Sequence, residues 1–394
     1  MNLLLVSVDS LRLDHAARAS GTRVRTPRFD ALTRGFAFTE SCFSVSSATR
    51  PVHATLVTGL YPFEHGVQGQ HDQRLRPGTP RLFGRLRKAG YRVGLFSEAA
   101  SIFHGLDFGA PVRDLDRRPE AGLAHLRAWL AESAAASRRC LFVHYWSTHT
   151  PYGASDGLAM GETLQLLRGG RLEVVRERYR RAVESLFEAG IAPLLEEIDL
   201  GRWSIVIFGD HGESWTPEEP YHGKSLRNSV LRVPLWMHVP GAGRGTGPGT
   251  AEVVSLIDLC ETVGTLCGLE DLEPGFGRSL TRSSGEARYC LAEVRPGGDD
   301  DAAQGPEHSK AGLRWCVLDR RHKLLGGDEG WELFDTWSEL PVCGEDVSER
   351  AEPYRTARLE MRRRSRWGES AGPVSDGDES AELRRRLRAL GYLD

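Results

Sequence analysis

The 394-residue sequence lacks the marks of a membrane protein, of a disulfide-rich protein and of a nucleic-acid-binding protein. No apolar stretch approaches the roughly 18 residues that span a bilayer. The formal net charge is only −3, so no excess of one sign draws the chain to nucleic acid or anionic lipid. Its seven cysteines are odd in number and form no Cys-x-x-Cys pair, which favours reduced thiols. Any substrate must therefore be recognised locally.

The first residues also lack the basic region, apolar core and cleavage site of a secretion signal. Residues 1–6, Met-Asn-Leu-Leu-Leu-Val, lead directly into a polar motif. Together with the thiols, this pattern predicts a cytoplasmic protein that has neither nucleic acid nor membrane as its partner. The sequence does not indicate an oligomeric state.

Apolar runs of strand length alternate with helical patterns, which predicts an α/β fold with a mostly parallel central sheet and helices on both faces. The predicted strands lie at residues 3–8, 92–97, 140–145, 204–208 and 235–239, and the predicted helices at 82–89, 121–136, 172–198 and 256–266. Short strands without room for crossover helices follow at 287–294, 314–318, 323–325 and 331–335, which predicts a small antiparallel sheet. The predicted divisions are a catalytic domain (1–268), a C-terminal antiparallel subdomain that completes the site region (269–361), and a polar tether with a terminal helix (362–394).

Two predicted strands far apart in the sequence end on metal-ligating side chains. Asp9 follows the first strand, and Asp210 with His211 follows the strand at residues 204–208. An Asp after a strand is often only a helix cap. However, ligands of open α/β sheets gather beyond the carboxyl ends of the strands, so these side chains can meet at one metal site. Between them, residues 44–58 form a hydroxyl-rich turn that leads into a helix, which can present a nucleophile.

These motifs resemble those of the sulfatase branch of the alkaline phosphatase superfamily. The resemblance covers most of the chain and rests on ordered segments: Val-Asp-Ser-Leu-Arg-Leu-Asp-His at 8–15, Thr-Pro-Arg-Phe-Asp-Ala-Leu at 26–32, Leu-Val-Thr-Gly-Leu-Tyr-Pro at 56–62, the segment 144–152, Asp-His-Gly-Glu at 210–213, His-Gly-Lys-Ser-Leu at 222–226, Arg-Val-Pro at 232–234 and Leu-Gly-Tyr-Leu at 390–393. It implies the alkaline phosphatase-like fold, a divalent metal and cleavage of a sulfate or phosphate ester.

The nucleophile position departs from the sulfatase pattern. Sulfatases carry a Cys or Ser in Cys/Ser-x-Pro-x-Arg and oxidise it to formylglycine, whereas this chain has Thr49, then Pro51, then His53 in place of the Arg. Threonine cannot become formylglycine. As a plain alcohol it resembles the nucleophile of phosphate-transferring members of the superfamily, which implies a covalent phospho-threonine intermediate. The fallback nucleophiles are Cys42, Ser46 and Ser47, none of which has Pro two residues on.

The expected metal ligands are Asp9, Asp210, His211 and the oxygen of Thr49. Ser10 stands where many sulfatases have a second Asp of a calcium site. Calcium prefers about six to eight oxygen ligands, whereas imidazole with carboxylates suits manganese or zinc, so we expect manganese or zinc rather than calcium or magnesium. A second metal remains open, with His149, His222 and Asp14 as its available ligands.

The remaining polar residues of the matched segments imply binding of an anionic ester group. Lys224 offers a positive charge, and His149 and His222 can donate hydrogen bonds or protonate the leaving oxygen. All three are expected to be catalytic and to bind substrate, and His53 is expected to bind substrate in place of the missing Arg. Each can instead be structural: a solvated Lys, or a histidine satisfied within the core.

The resulting expectation is a metal-dependent hydrolase of phosphate monoesters or diesters, or of phosphonate esters, that acts through phospho-Thr49. A transferase with the same intermediate and an alcohol acceptor is an alternative. Two further alternatives are a sulfate ester hydrolase without formylglycine and a binding protein that retains the fold without catalysis.

Overall fold

The central element is a twisted eight-stranded sheet that carries every strand-end motif of the sequence. In the computed structural model, the described residues are 1–70, 73–153, 160–242, 247, 252–269, 275–281, 287–296 and 312–365. The strand order is β10-β2-β9-β6-β1-β5-β3-β4, with β9 antiparallel to both of its neighbours and the other strands parallel to one another. The predicted mostly parallel α/β sheet is confirmed. Among the described residues, no helix has the length and apolar character to cross a bilayer.

The strands and helices are named in chain order. The strands are β1 Asn2–Val8, β2 Ala37–Phe43, β3 Arg92–Ser97, β4 Val112–Asp114, β5 Arg139–Tyr145, β6 Trp203–Gly209, β7 Ser214–Trp215, β8 Pro220–Tyr221, β9 Arg232–His238, β10 Val254–Ser255, β11 Cys290–Val294, β12 Arg314–Leu318, β13 His322–Gly327 and β14 Gly330–Asp335. The α-helices are α1 Pro27–Leu32, α2 Thr49–Thr58, α3 Pro62–His65, α4 Leu82–Lys88, α5 Pro119–Glu132, α6 Met160–Arg168, α7 Leu172–Ser185, α8 Ala192–Glu196, α9 Asn228–Leu231, α10 Asp258–Cys267 and α11 Val347–Arg364. Short 3-10 helices lie at Leu13–His15 and Ala100–Phe103.

The centre of the sheet consists of β1, β5 and β6, which are buried at every residue except Arg139 at the start of β5. Their near-continuous Leu, Val, Ile and Phe runs suit a parallel sheet that is covered on both faces. Val8 at the end of β1 pairs with Tyr145 of β5 and with Gly209 of β6. This register sets the carboxyl ends of the three strands level, so the residues that follow β1 and β6 emerge side by side.

The small C-terminal sheet has the order β11-β12-β13-β14, with every pair antiparallel, as the sequence predicts. Helix α11 packs against it through Ala351, Tyr354 and Ala357. The amide of Glu293 in β11 donates to the carbonyl of Val45, so this sheet adjoins the turn that precedes α2. The C-terminal subdomain therefore supports the nucleophile segment.

Several elements differ from the sequence-based expectation. Strand β4 and helix α6 were not predicted, and helix α11 extends through residues 362–364, where the sequence predicts a polar tether. Strand β2 was not predicted, because its sequence Ala-Phe-Thr-Glu-Ser-Cys-Phe mixes polar and apolar residues and its pairing with β9 shifts register between Thr39 and Cys42. The single helix predicted over residues 172–198 contains a π-helical turn at Leu186–Ile191 between α7 and α8. The predicted terminal helix beyond residue 365 lies outside the described residues.

Candidate active site

Asp9, Thr49, Asp210 and His211 meet at the carboxyl end of the central sheet, and all four are fully buried. The hydroxyl of Thr49 donates to Oδ2 of Asp9 at 3.0 Å and lies 3.2 Å from Nε2 of His211. Nε2 of His211 is 3.6 Å from Oδ2 of Asp210. The structure thus brings together the whole set of metal ligands predicted from the sequence.

Thr49 is the first residue of the ten-residue helix α2, after Ala48 in an extended conformation. Strand β2 leads into this turn, and the Ser44 hydroxyl fixes its start by donating to the carbonyl of Asp210 at 2.5 Å. The amide groups of the first helical turn and the helix dipole favour an anion at this end of a helix. The location of Thr49 therefore suits attack on an anionic ester.

The donor atoms of this cluster suit a divalent metal. Oδ1 of Asp210 accepts the amides of Ser10 at 3.0 Å and His211 at 2.7 Å, but Oδ2 accepts no hydrogen bond from any described residue. Nδ1 of His211 donates to the carbonyl of Gly212 at 2.9 Å, which leaves Nε2 with a lone pair. Ligand atoms of Asp9, Asp210 and His211 lie within 4.8 Å of one another. An unsatisfied buried carboxylate oxygen beside a bare imidazole nitrogen is what a cation would complete.

Burial and neighbouring charges shift the pKa values of these groups. Burial and the neighbouring Asp9 raise the pKa of Asp210 well above its usual range. Burial alone would also raise the pKa of Asp9, but its hydrogen bond with His144 and the nearby imidazoles of His211 and His149 lower it. Burial and His222 lower the pKa of His211 to about 3, so its ring is neutral at pH 7. A cation would relieve the repulsion between the two carboxylates.

His144 in β5 is a site residue that the sequence reasoning did not single out. Its Nε2 lies 3.3 Å from Oδ2 of Asp9, and its Nδ1 lies 2.8 Å from the hydroxyl of Ser97 at the end of β3. Because an ionised carboxylate only accepts hydrogen bonds, Nε2–H of His144 donates to Asp9, and in this tautomer Nδ1 accepts from the Ser97 hydroxyl. The sequence signal that could have identified His144 is its position as the first residue of the matched segment 144–152.

His53 lies one turn after Thr49 in helix α2 and is fully buried. Its Nδ1 donates to the carbonyl of Thr49 at 2.8 Å, and its Nε2 lies 2.9 Å from the Ser7 hydroxyl. Its ring packs against those of Phe103 and His144. Although His53, His144 and Asp210 have the spacing of a second ligand group, the proton on Nδ1 of His53 points to a backbone carbonyl. These contacts hold the first turn of α2, and the substrate-binding role of His53 stays a prediction.

His149 and His222 lie next to the cluster of candidate metal ligands, Asp9, Asp210 and His211. The ring of His222 stacks on that of His211 with centroids 4.5 Å apart and meets the ring of His149 edge-on at 4.8 Å. Nδ1 of His222 lies 3.2 Å from Oε1 of Glu213, a buried carboxylate of the Asp-His-Gly-Glu segment. Nδ1 of His149 donates to the carbonyl of Thr150 at 2.6 Å. Both rings thus have one nitrogen fixed by the protein.

The segment that carries Lys224 is held against the nucleophile turn. The amide of Gly223 donates to the carbonyl of Ser47 at 2.6 Å, and Lys224 itself is half-buried. Its expected contact with substrate stays a prediction.

The fallback nucleophiles and the candidate ligands of a second metal have different surroundings. Burial raises the pKa of Cys42 well above its usual range, which disfavours a reactive thiolate. Ser46 and Ser47 are buried, and their hydroxyls accept or donate no hydrogen bond among the described residues.

Asp14 contacts Arg12 and His15. In the described part of the chain, Asp14, His149 and His222 do not form a three-ligand group, so the second metal stays an open prediction.

Comparison with known proteins identifies the family. The model of the Sulfatase family matches residues 1–269. The chain belongs to the sulfatase family, in the alkaline phosphatase-like sulfatase branch that the sequence motifs predicted. Such proteins use a divalent metal, and the cluster of Asp9, Asp210 and His211 provides candidate ligands. No curated protein sequence matches the chain.

Solved structures share this fold over nearly the whole chain. BT1596, a 2-O GAG sulfatase, has a TM-score of 0.73 at 15% identity, with 96% of this chain and 95% of that chain covered. The phosphonate monoester hydrolase SpPMH from Silicibacter pomeroyi has a TM-score of 0.66 at 18% identity, with 93% and 95% covered. The lipoteichoic acid synthase LtaP from Listeria monocytogenes has a TM-score of 0.64 at 16% identity, with 95% and 93% covered. At these identities the likeness concerns the fold.

Proposed function

We propose that this protein is a metal-dependent hydrolase of phosphate monoesters or diesters, or of phosphonate esters, that acts through a covalent phospho-Thr49 intermediate. The observation that carries the proposal is the position of the Thr49 hydroxyl, 3.0 Å from Oδ2 of Asp9 and 3.2 Å from Nε2 of His211. An unmodified alcohol at the start of a helix, inside a set of metal-ligating atoms, suits phosphoryl transfer. The proposed substrate is a small molecule, and the proposed location is the cytoplasm.

Asp9, Asp210, His211 and Thr49 Oγ would hold the metal, with manganese or zinc favoured by the mixed carboxylate and imidazole set. When bound, a divalent metal supplies a positive charge that lowers the pKa of an alcohol and neutralises the phosphate oxygens. In the first step, Thr49 Oγ forms a bond to phosphorus while the bond from phosphorus to the leaving oxygen breaks. The hydroxyl proton is released to solvent, and Asp9, whose pKa is lowered, orients the hydroxyl by accepting its hydrogen bond.

The two histidines beside the cluster divide the proton transfers. His222 has its Nδ1 held by the Glu213 carboxylate, which stabilises an imidazolium, so we assign it to protonate the leaving oxygen. Burial and His222 lower the pKa of His149 well below its usual range, which keeps that ring neutral. Because Nδ1 of His149 donates to the carbonyl of Thr150, Nε2 has a lone pair, and we assign His149 to accept a proton from the attacking water. In this second step the water oxygen bonds to phosphorus, the bond to Thr49 Oγ breaks, and phosphate or phosphonate is released. Lys224 is assigned to the non-bridging oxygens.

A transferase that uses the same intermediate is the second candidate, because a substrate alcohol can replace water in the second step. The fold shared with the synthase LtaP supports this alternative. Sulfate ester hydrolysis is less favoured, because a sulfated threonine lacks the hemiacetal route by which formylglycine releases sulfate.

The deciding experiment measures turnover of matched aryl phosphate, phosphodiester, phosphonate and sulfate esters. Metal-stripped protein is restored with manganese, zinc, calcium or magnesium, one at a time. Phosphoester or phosphonate cleavage that returns with manganese or zinc and is lost in Thr49→Ala supports the proposal. Cleavage of the sulfate ester alone would contradict it. Cleavage that requires an added alcohol would favour the transferase.

A further inference from the structure

Glu98, the first residue after β3, holds the turn that carries His149. Its side chain is only 8% exposed, and Oε2 accepts three hydrogen bonds: from the amide of Trp146 at 2.7 Å, the amide of Ser147 at 2.8 Å and the Ser147 hydroxyl at 2.7 Å. The Glu98 amide also donates to the carbonyl of His144 at 3.0 Å. One carboxylate oxygen thus organises the chain immediately after β5.

The same turn connects to the reacting groups at two points. The indole of Trp146 stacks on the ring of His149, with centroids 3.8 Å apart and planes 19° apart, and the His149 amide donates to the Trp146 carbonyl at 2.8 Å. The hydroxyl of Thr148 donates to the carbonyl of Asp9. A displacement of Trp146 and Ser147 would therefore move the His149 ring.

We infer that Glu98 is a positioning residue that fixes the ring of His149 through the turn at residues 146–149. The inference rests on the proposed function only for the role of His149 in turnover. Among the described residues, the Glu98 carboxylate hydrogen-bonds to Trp146 and Ser147 and to none of the proposed metal ligands, so its effect passes through the turn.

The burial of Glu98 explains why its carboxylate accepts three hydrogen bonds. Burial raises the pKa of Glu98 to about 7, against the opposing effect of its three hydrogen bonds and of Arg117. The groups that face it are Arg117, Asp116 and Tyr145, which line with it a cavity of about 50 Å³. A buried carboxyl in such a place is unfavourable unless it is hydrogen-bonded. Loss of the carboxyl would leave two buried backbone amides unsatisfied, and the turn would rearrange.

The preceding residue provides a matched control. Ser97 supports the metal end of the site, because its hydroxyl contacts His144, which in turn donates to Asp9. Two adjacent residues at the end of β3 thus support different parts of the site. A general loosening of this strand end would affect both parts in either variant, whereas the specific contacts predict separate effects.

The test compares Glu98→Ala, Glu98→Gln and Ser97→Ala. Glu98→Ala is expected to lower kcat about 10- to 100-fold, with the Kd for manganese within about threefold of wild type. This loss is smaller than the roughly 10²- to 10⁴-fold contribution of an acid-base residue, because the His149 ring is displaced and not removed. Glu98→Gln, whose amide oxygen can still accept the three donors, is expected to recover most of kcat. Ser97→Ala is expected to weaken manganese binding instead, since such supporting bonds are typically worth about 10- to 100-fold in metal affinity.

A second readout does not depend on turnover. The ¹⁵N resonances of the His149 ring, assigned by their loss in His149→Gln, are expected to shift in Glu98→Ala and to keep their wild-type positions in Ser97→Ala. Unchanged His149 resonances together with wild-type kcat in folded Glu98→Ala would overturn the inference. Equal loss of manganese affinity in Glu98→Ala and Ser97→Ala would also overturn it. Shifted resonances with no phosphoester turnover in wild type would support the positioning role and contradict only the proposed function.

Discussion

Buried charges serve different purposes in the central sheet and in the small C-terminal sheet. In the small sheet, Nζ of the fully buried Lys323 contacts Oδ1 of Asn228 at 2.8 Å and a carboxylate oxygen of Glu339 at 2.7 Å. At the carboxyl end of the central sheet, Oδ2 of the equally buried Asp210 accepts no hydrogen bond from the described residues. A hydrogen-bonded buried charge stabilises a contact, whereas the Asp210 oxygen lies beside other metal-ligating atoms and can be completed by a cation.

The difference predicts that activity and stability depend on different residues. The Lys323 contact joins the small sheet to the segment before β9, because Asn228 also donates to the carbonyl of Thr336 at 2.7 Å. The carboxylates of Asp9 and Asp210 repel each other in the metal-free protein. Substitutions at the carboxyl end of the central sheet are therefore expected to lower turnover with little loss of stability. Substitutions at Lys323 or its partners are expected to lower stability with little loss of turnover.

Thr49→Ala is expected to have the largest effect on turnover, a loss of about 10³-fold or more, because a covalent nucleophile has no substitute. The measurement is kcat for the best phosphoester substrate at saturating metal. The matched control is Thr49→Ser, which keeps the hydroxyl and should retain measurable turnover and form a phosphoserine detectable by mass spectrometry. Turnover of Thr49→Ala within a few-fold of wild type would refute the nucleophile assignment.

Asp210→Asn is expected to lower turnover by about 10²- to 10³-fold through loss of a metal ligand. At the same time, the metal-free variant should be at least as stable as metal-free wild type, because the change removes one of two repelling buried carboxyls. Metal content by elemental analysis and Tm with and without chelator measure both effects. A large fall in the Tm of the metal-free variant would mean that Asp210 is mainly a structural residue.

Lys224→Ala is expected to reduce kcat/KM for phosphoesters by about 10- to 100-fold, because a positive charge near the non-bridging oxygens is lost. Metal affinity should stay unchanged, which titration calorimetry can check. Lys224→Arg retains the charge and serves as the comparison. If Lys224→Ala weakened metal binding as strongly as Asp210→Asn, the residue would act on the cluster rather than on substrate.

Glu339→Gln is expected to change stability rather than chemistry. It leaves the buried Lys323 without its carboxylate partner, which typically costs about 3 kcal/mol in the free energy of unfolding. Urea unfolding gives this value, and kcat of the folded variant should remain within about threefold of wild type. Lys323→Met combined with Glu339→Gln should recover part of the loss, since it removes the unpaired charge. A large fall in kcat with unchanged stability would reverse the comparison.

The smallest expected effect concerns pH. Burial raises the pKa of Glu98 to about 7 from its ordinary value of 4.5, so the folded state binds this proton more tightly than the unfolded state does. The associated stability is present below pH 4.5 and is lost as pH rises through about 7. Glu98→Gln removes this dependence, so its Tm relative to wild type should be higher at pH 8 than at pH 5. An equal difference at both values would show that Glu98 does not titrate there.

The sequence predicted the parallel sheet and the residues that converge on the site, because strand ends and their following side chains can be recognised locally. Asp9, Asp210 and His211 follow from that rule, whereas Thr49 was identified from the resemblance of its segment to the sulfatase nucleophile motif. The supporting residues could not be found in this way. Ser97 contacts His144 because β3 and β5 pair in the register that sets these two residues side by side. Such contacts depend on pairing between distant segments, which composition and periodicity do not reveal.

The unsatisfied oxygen of Asp210 has a consequence for how the protein is produced and handled. A cation that binds only the folded chain stabilises it by an amount that grows with the ratio of metal concentration to Kd, about 2.7 kcal/mol at a hundredfold excess. The ion in the growth medium would thus influence the yield of folded protein. A scan of melting temperature across candidate ions would rank them by affinity before any substrate is known.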